Sequence, residues 1–171
     1  MRPEVTPAIG AGNMLKFLPE PIRIASNPLR AIAVGWLTAF PVSMVFAAIG
    51  AFLLPQAHQP EFHVSGLAAI SALVIFSPVV ETLIMGAVLL LLLKLMPPWL
   101  AVLASAAGWG IAHSSVAPIW GLVIWWPFLV FSTLFVTWRD RSLTLAFLIP
   151  MCVHALQNLL PAILVAYGAA R

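Results

Sequence analysis

Long apolar stretches, separated by short polar or proline-containing segments, dominate the chain from about residue 31 onward. They cover about residues 31–54, 66–95, 98–113, 118–138 and 142–168. A membrane-spanning helix needs roughly 20 predominantly apolar residues, and most of these stretches reach that length. The pattern therefore predicts an all-α fold, a polytopic membrane helix bundle of about five transmembrane helices.

The composition excludes a soluble globular protein. Of the 171 residues, 63% are apolar and 8% are charged, whereas soluble domains carry roughly 25% charged residues. We expect an N-terminal leader over residues 1–29 and a single membrane-embedded domain over residues 30–171. Within the leader, residues 13–24 are predicted to lie in the membrane interface or to form a simple tether. In the interfacial case, these side chains face the lipid: Leu15, Phe17, Leu18 and Ile22.

The basic residues indicate membrane topology and no nucleic-acid partner. The net charge is +3, and the eight Lys and Arg residues are scattered, mostly beside apolar stretches. A cytoplasmic N-terminus puts every one of them except Arg171 on the cytoplasmic side, as the positive-inside rule requires. We therefore expect the N-terminus in the cytoplasm, the C-terminus outside, and the lipid bilayer as a partner.

Three ionisable residues fall within the predicted spans, where each costs on the order of 2.5–3.5 kcal/mol. They are Glu81, His113 and His154. At about 1.5 Å per helical residue, they lie about 21, 22 and 18 Å from the cytoplasmic ends of their helices. Three separate helices thus carry their one ionisable group at nearly the same depth.

Local spacing adds to this picture. His154 and Asn158 are four residues apart and share a helix face. Pro78 precedes Glu81 by three residues and Pro150 precedes His154 by four, and each proline frees a backbone carbonyl and bends its helix. Kinked helices with an acid and two imidazoles at one level predict a buried polar cavity. A purely structural role for each residue, as a helix–helix hydrogen bond, is the alternative.

Two further features concern helix contacts. Ala104, Gly108 and Ala112 form a small-residue stripe that predicts close approach of another helix. Four tryptophans are predicted to form interfacial belts and packing contacts: Trp120, Trp125, Trp126 and Trp138.

Three segments resemble the CPBP family of intramembrane proteases, which includes the type II CAAX prenyl endopeptidases and the Abi proteins. They are VVETLIMG (residues 79–86), WGIAH (109–113) and HALQN (154–158). The family motifs are Glu-Glu-x-x-x-Arg, Phe-x-x-x-His and His-x-x-x-Asn, in this order on separate helices. Thr82, Gly86 and Trp109 depart from them, and the resemblance covers about residues 66–168.

The resemblance implies an intramembrane endopeptidase of the glutamic type in a bacterial plasma membrane. Glu81, helped by His113, takes a proton from water, and the hydroxide attacks a peptide carbonyl. His154 and Asn158 hold the oxyanion and protonate the leaving amine. The expected partner is a peptide or protein with a membrane-proximal cleavage site, with no cofactor. Zinc held by Glu81, His113 and His154 is the alternative.

Other functions remain open from the sequence alone. The chain could be a non-catalytic membrane protein with the same fold, such as an immunity factor or maturation partner. The departures from the family motifs at Thr82 and Gly86 keep this alternative open. Two membrane histidines could also ligate haem. A serine protease using Ser114 or Ser115 is disfavoured because each adjoins His113 in sequence, and a transporter because paired repeats are lacking.

Overall fold

The computed structural model describes residues 15–58 and 60–168, and every regular element in these ranges is a helix. The helices are α1 (Glu20–Arg23), α2 (Pro28–Leu53), α3 (Gly66–Leu92), α4 (Pro98–Ser114), α5 (Pro118–Arg139) and α6 (Leu143–Gly168). Three of them begin at a proline, whose missing N–H costs nothing in the first turn. The predicted all-α bundle is confirmed, and the five predicted spans agree with α2–α6 to within a few residues.

Four of the described helices, α2, α3, α5 and α6, are long and apolar enough to cross a membrane. Helix α4 has 17 residues, the lower limit of the usual range of about 17–25. A contact between two distant parts of the chain shows in which directions the helices cross the bundle. The guanidinium of Arg141 donates hydrogen bonds to the carbonyls of Ala25 (2.8 Å) and Ser26 (3.0 Å), which brings the end of α5 to the start of α2. The two points therefore lie at the same end of the bundle, and an even number of helices must cross it between them. Helices α2, α3 and α5 are three of these, and α4 completes the set of four.

Helix α5 is the central element. Its residues from Pro127 to Trp138 are all buried, and it packs against α2, α4 and α6, while α3 packs mainly against α6. The hydroxyls of Ser132 and Ser105 share a hydrogen bond of 2.9 Å between α5 and α4. Trp138 is fully buried, so it belongs to the core and not to an interfacial belt.

The small-residue stripe of α4 permits close approach of another helix, but none approaches it at Gly108. Gly108 and Ala112 are exposed, and a Cβ added at Gly108 would meet nothing. The close contact lies on another face, where a Cβ on Gly121 of α5 would collide with the carbonyl oxygen of Gly110. Small residues occur on several faces of α4, so their spacing alone did not identify the one that packs.

The leader also differs from the prediction. Leu15, Leu18 and Ile22 are no more than 3% exposed and join the core, and of the four predicted lipid-facing side chains only Phe17 is exposed. The Arg23 guanidinium donates to the Leu18 carbonyl at 2.7 Å, which fixes the turn that directs these side chains inward. This segment is thus part of the membrane domain. Residues 13 and 14 of the predicted interfacial stretch lie outside the described residues.

Candidate active site

The four predicted site residues, Glu81, His113, His154 and Asn158, line one cavity of about 380 Å³. They come from three helices, α3, α4 and α6. Helices α2 and α5 and the segment 60–62 complete the wall. Since segment 60–62 follows α2, the cavity opens toward the end of the bundle opposite Arg141. The equal depths inferred from the sequence therefore correspond to one place in the fold.

Glu81 and His113 face each other across the cavity. The Oε2 atom of Glu81 lies 3.8 Å from Nε2 of His113, which is too long for a direct hydrogen bond and leaves both atoms available to a water molecule beside them. The other carboxylate oxygen, Oε1, accepts a hydrogen bond from the Ser77 hydroxyl one turn earlier. The exposed fractions of the Glu81 and His113 side chains are 22% and 12%, so both groups remain accessible from the cavity.

The His113 ring is oriented by its own helix. Its Nδ1 atom lies 2.9 Å from the Trp109 carbonyl oxygen, and because a carbonyl only accepts, Nδ1 carries the hydrogen. In the neutral ring Nε2 is then the free acceptor, and it is the atom that faces Glu81. The Trp120 ring meets His113 edge-on at 4.8 Å. Trp120 thus lies in the cavity wall. The sequence had predicted interfacial belts and packing contacts for the tryptophans, and no place in a cavity.

His154 is almost entirely enclosed. The residue is 4% exposed, and its ring stacks on Phe131 at 4.9 Å with an interplanar angle of 27°. Its Nδ1 atom is buried, with no hydrogen-bond partner among the described residues. The ring is therefore held by aromatic packing rather than by a hydrogen bond at Nδ1.

Asn158 bridges two helices at a break in the α3 backbone. A π-helical segment, Ser71–Phe76, lies within α3, and the Ser77 N–H donates to the Ala72 carbonyl five residues back. In the same register the next carbonyl, that of Leu73, would need a hydrogen from Pro78, which has none. The side-chain amide of Asn158 donates to this Leu73 carbonyl at 3.0 Å. The predicted release of a carbonyl by Pro78 is confirmed, and Asn158 makes a helix–helix hydrogen bond while also lining the cavity.

Sequence reasoning missed the functional importance of two cavity residues. Ser77 is one of them, and its four-residue spacing from Glu81 is the signal that could have predicted a hydrogen bond on one helix face. Gln157 also lines the cavity and is 4% exposed, and no pattern in the sequence marked it.

In the polar segment after α2, Phe62 contacts the Trp120 ring edge-on at 5.9 Å, whereas His58 and His63 are exposed.

Thr82 and Gly86, two of the three positions that depart from the CPBP motifs, lie outside the cavity lining. Thr82 is 1% exposed and its hydroxyl has no partner among the described residues. At Gly86, a Cβ would collide with the rings of Phe147 and Phe135. The packing of α3 on α6 and α5 therefore leaves no room for a side chain at Gly86, least of all for an arginine.

The zinc alternative can be compared with the geometry of the same residues. Within residues 15–58 and 60–168, no three His, Cys, Asp or Glu side chains form a group that could hold a metal ion.

Comparisons with family models, with curated proteins and with solved structures gave no match to this chain.

Proposed function

We propose that this membrane protein is an intramembrane endopeptidase that hydrolyses a peptide bond with a water molecule activated by Glu81 and His113. The observation that supports this best is the opposed pair, with 3.8 Å between Glu81 Oε2 and His113 Nε2 inside a cavity within the helix bundle. The resemblance of three short segments to the CPBP family agrees with it.

In the proposed mechanism, a water molecule binds between the two side chains. Glu81 Oε2 accepts a proton from it as general base, while Ser77 holds Oε1. The resulting hydroxide attacks the substrate carbonyl carbon, and the electron pair of the C=O bond moves to the oxygen. One N–H of the Asn158 amide already binds Leu73, and its second hydrogen is available for the oxyanion, together with the His154 ring. The oxyanion then re-forms the C=O bond while the C–N bond breaks, and Glu81 gives the proton taken from water to the leaving amine.

The base assignment follows from the small number of acidic residues. The chain has five, and of those in the described part of the chain Glu81 is the one that lines the cavity. It can act as base or as a zinc ligand, but hardly as both. Stoichiometric zinc in active protein, with activity lost to a chelator and restored by zinc, would reverse the assignment.

The proposed substrate is a peptide or protein with a membrane-proximal cleavage site, and the proposed location is a bacterial plasma membrane. We further propose that the end of the bundle with Arg23, Lys94, Arg139 and Arg141 faces the cytoplasm. The cavity would then open toward the opposite face, and the C-terminus would lie outside.

The proposal is tested by comparing the N termini of all membrane proteins in cells that produce the wild-type chain or the Glu81→Gln variant. N-terminal enrichment and mass spectrometry identify each new cleavage site. We expect a set of new N termini with wild type that is absent with Glu81→Gln, His113→Ala and His154→Ala, at equal amounts of membrane-inserted protein.

Glu20→Gln is the matched control, because it makes the same carboxyl-to-amide change at an exposed position far from the cavity. It should give the wild-type set of N termini. The same set with Glu81→Gln would contradict the proposed base.

A non-catalytic role, as an immunity or maturation partner, is the second candidate. The packing at Gly86 favours it, since the arginine of the family motif cannot be accommodated there. In that case wild type and Glu81→Gln would give identical N termini and the same effect on the host cell.

A further inference from the structure

Gln157 presents a buried hydrogen-bond acceptor that the folded chain leaves unused. The residue is 4% exposed, and its Oε1 atom has no hydrogen-bond partner among the described residues. Buried amide oxygens are almost always paired, since leaving one without a donor is destabilising. Gln157 lies in the wall of the cavity that holds the opposed pair. A molecule bound in the cavity can supply the missing donor once the side chain turns the shielded Oε1 atom toward it.

The other cavity walls restrict what that molecule is. They are mostly apolar and aromatic, with Met44, Phe62, Ile124 and Phe128 among them, and no Lys or Arg within residues 15–58 and 60–168 lines the cavity. An uncharged donor on an otherwise apolar chain fits such walls. The main-chain N–H of a peptide is this kind of donor, provided that it is not already used in a helix.

We propose that Gln157 Oε1 accepts a hydrogen bond from a main-chain N–H of the substrate, in a segment that is unwound and flanked by apolar side chains. In a transmembrane helix every interior N–H is bonded to a carbonyl of the same helix. An acceptor in the site therefore selects a locally extended backbone, in which the scissile carbonyl is also free for attack. This inference rests on the proposed function, and Gln157 acts in it as a substrate-binding residue.

The test measures binding rather than cleavage. The probe is the tripeptide amide acetyl-Leu-Leu-Leu-NH₂, and three analogues each replace one backbone N–H by an ester oxygen. Binding to the purified full chain in detergent micelles is followed by tryptophan fluorescence, because Trp120 lines the cavity. The protein variants are Gln157→Met, which keeps the length but lacks the acceptor, and Leu156→Met, a control on the more exposed neighbour.

We expect wild type and Leu156→Met to bind the amide about tenfold more tightly than one of the three ester analogues, the usual effect of one hydrogen bond. Gln157→Met should bind that analogue and the amide equally. Because the lost acceptor was unpaired, Gln157→Met should also unfold no more easily than wild type. Equal discrimination by wild type and Gln157→Met, or no binding of the tripeptide to wild type, would overturn the inference.

Two further measurements separate this inference from the proposed function. Cleavage by Glu81→Gln tests the proposed function, and the preference of Gln157→Met between the amide and the ester analogue tests this inference. If Glu81→Gln still cleaves, the proposed function fails while the binding result for Gln157 stands. If Glu81→Gln is inactive but Gln157→Met still binds the amide more tightly than the ester analogue, as wild type does, only the present inference fails.

Discussion

At the scale of single residues, the two oxygens of the Glu81 carboxylate have different partners. The Ser77 hydroxyl binds Oε1, while Oε2 points to His113. A carboxylate on a helix can rotate about its side-chain bonds, and the Ser77 hydrogen bond removes part of that freedom. Ser77 is thus a positioning residue for the proposed base, and it does not touch the reacting atoms.

Replacing Ser77 by alanine should lower kcat by about tenfold, the usual effect of one lost hydrogen bond to a charged group, and leave KM unchanged. Ser77→Thr keeps a hydroxyl and should recover most of the activity. The measurement is steady-state cleavage by purified protein in liposomes, with a substrate identified by its new N terminus. Loss of activity in both variants, or a change in KM alone, would contradict the positioning role.

The sequence predicted the members of the site better than their partners. Glu81, His113 and His154 stood out because an ionisable group within a span is costly and therefore rare. Ser77 and Gln157 carry no such cost signal, since uncharged polar residues are common in membrane helices. Their roles depend on side-chain direction, which sequence spacing constrains only partly.

At the scale of elements, the break in α3 places the proposed base. The π segment Ser71–Phe76 and Pro78 interrupt the hydrogen-bond ladder just before Glu81, and Asn158 of α6 repairs it by binding the Leu73 carbonyl. One side chain thus ties α6, which carries His154, to α3 at Leu73, about two turns before Glu81. That Pro78 frees a backbone carbonyl was predictable from the sequence, but the partner of this carbonyl was not.

A double-mutant cycle tests this repair. Asn158→Leu should destabilise the protein by about 1 kcal/mol, because it leaves the Leu73 carbonyl without a donor. With Pro78→Ala, residue 78 regains an N–H that can bind this carbonyl, so Asn158→Leu should cost less in that background. The free energy of unfolding in detergent micelles is measured for all four proteins. An equal cost in both backgrounds would show that Asn158 does not compensate for Pro78.

The rotation of each helix about its axis was the least predictable feature at this scale. In a soluble helix, polar residues mark the outer face, but in lipid both faces are apolar. The stripe with Gly108 therefore looked like a contact and is exposed, whereas the Gly110–Gly121 contact went unpredicted. For the same reason the buried side chains of Leu15, Leu18 and Ile22 were assigned to the lipid.

At the scale of the whole molecule, hydropathy was sufficient to predict the bundle. Bilayer thickness fixes the length of each helix, and prolines and polar residues mark the ends. The contact of Arg141 with Ala25 and Ser26 adds that α2 through α5 traverse the bundle in alternating directions. The polar segment that holds Glu61 then lies at the end opposite Asp140.

Cysteine labelling tests this arrangement. Glu61→Cys and Asp140→Cys, each in a Cys152→Ser background, should react with a membrane-impermeant maleimide from opposite sides of the membrane, with Glu61→Cys labelled from outside. Both positions are exposed, so access does not limit the reaction. Labelling of both from one side would contradict the alternation, and labelling of Asp140→Cys from outside would reverse the proposed orientation.

The central claim is that Glu81 activates the attacking water, and one rate measurement tests it most directly. Wild type and Glu81→Gln are purified, reconstituted in liposomes and given the same substrate, and their unfolding temperatures are compared in parallel. Glu81→Gln should cleave at least about 100-fold more slowly, as expected for loss of a general base, with an unchanged unfolding temperature. Cleavage by Glu81→Gln at the wild-type rate would contradict the account.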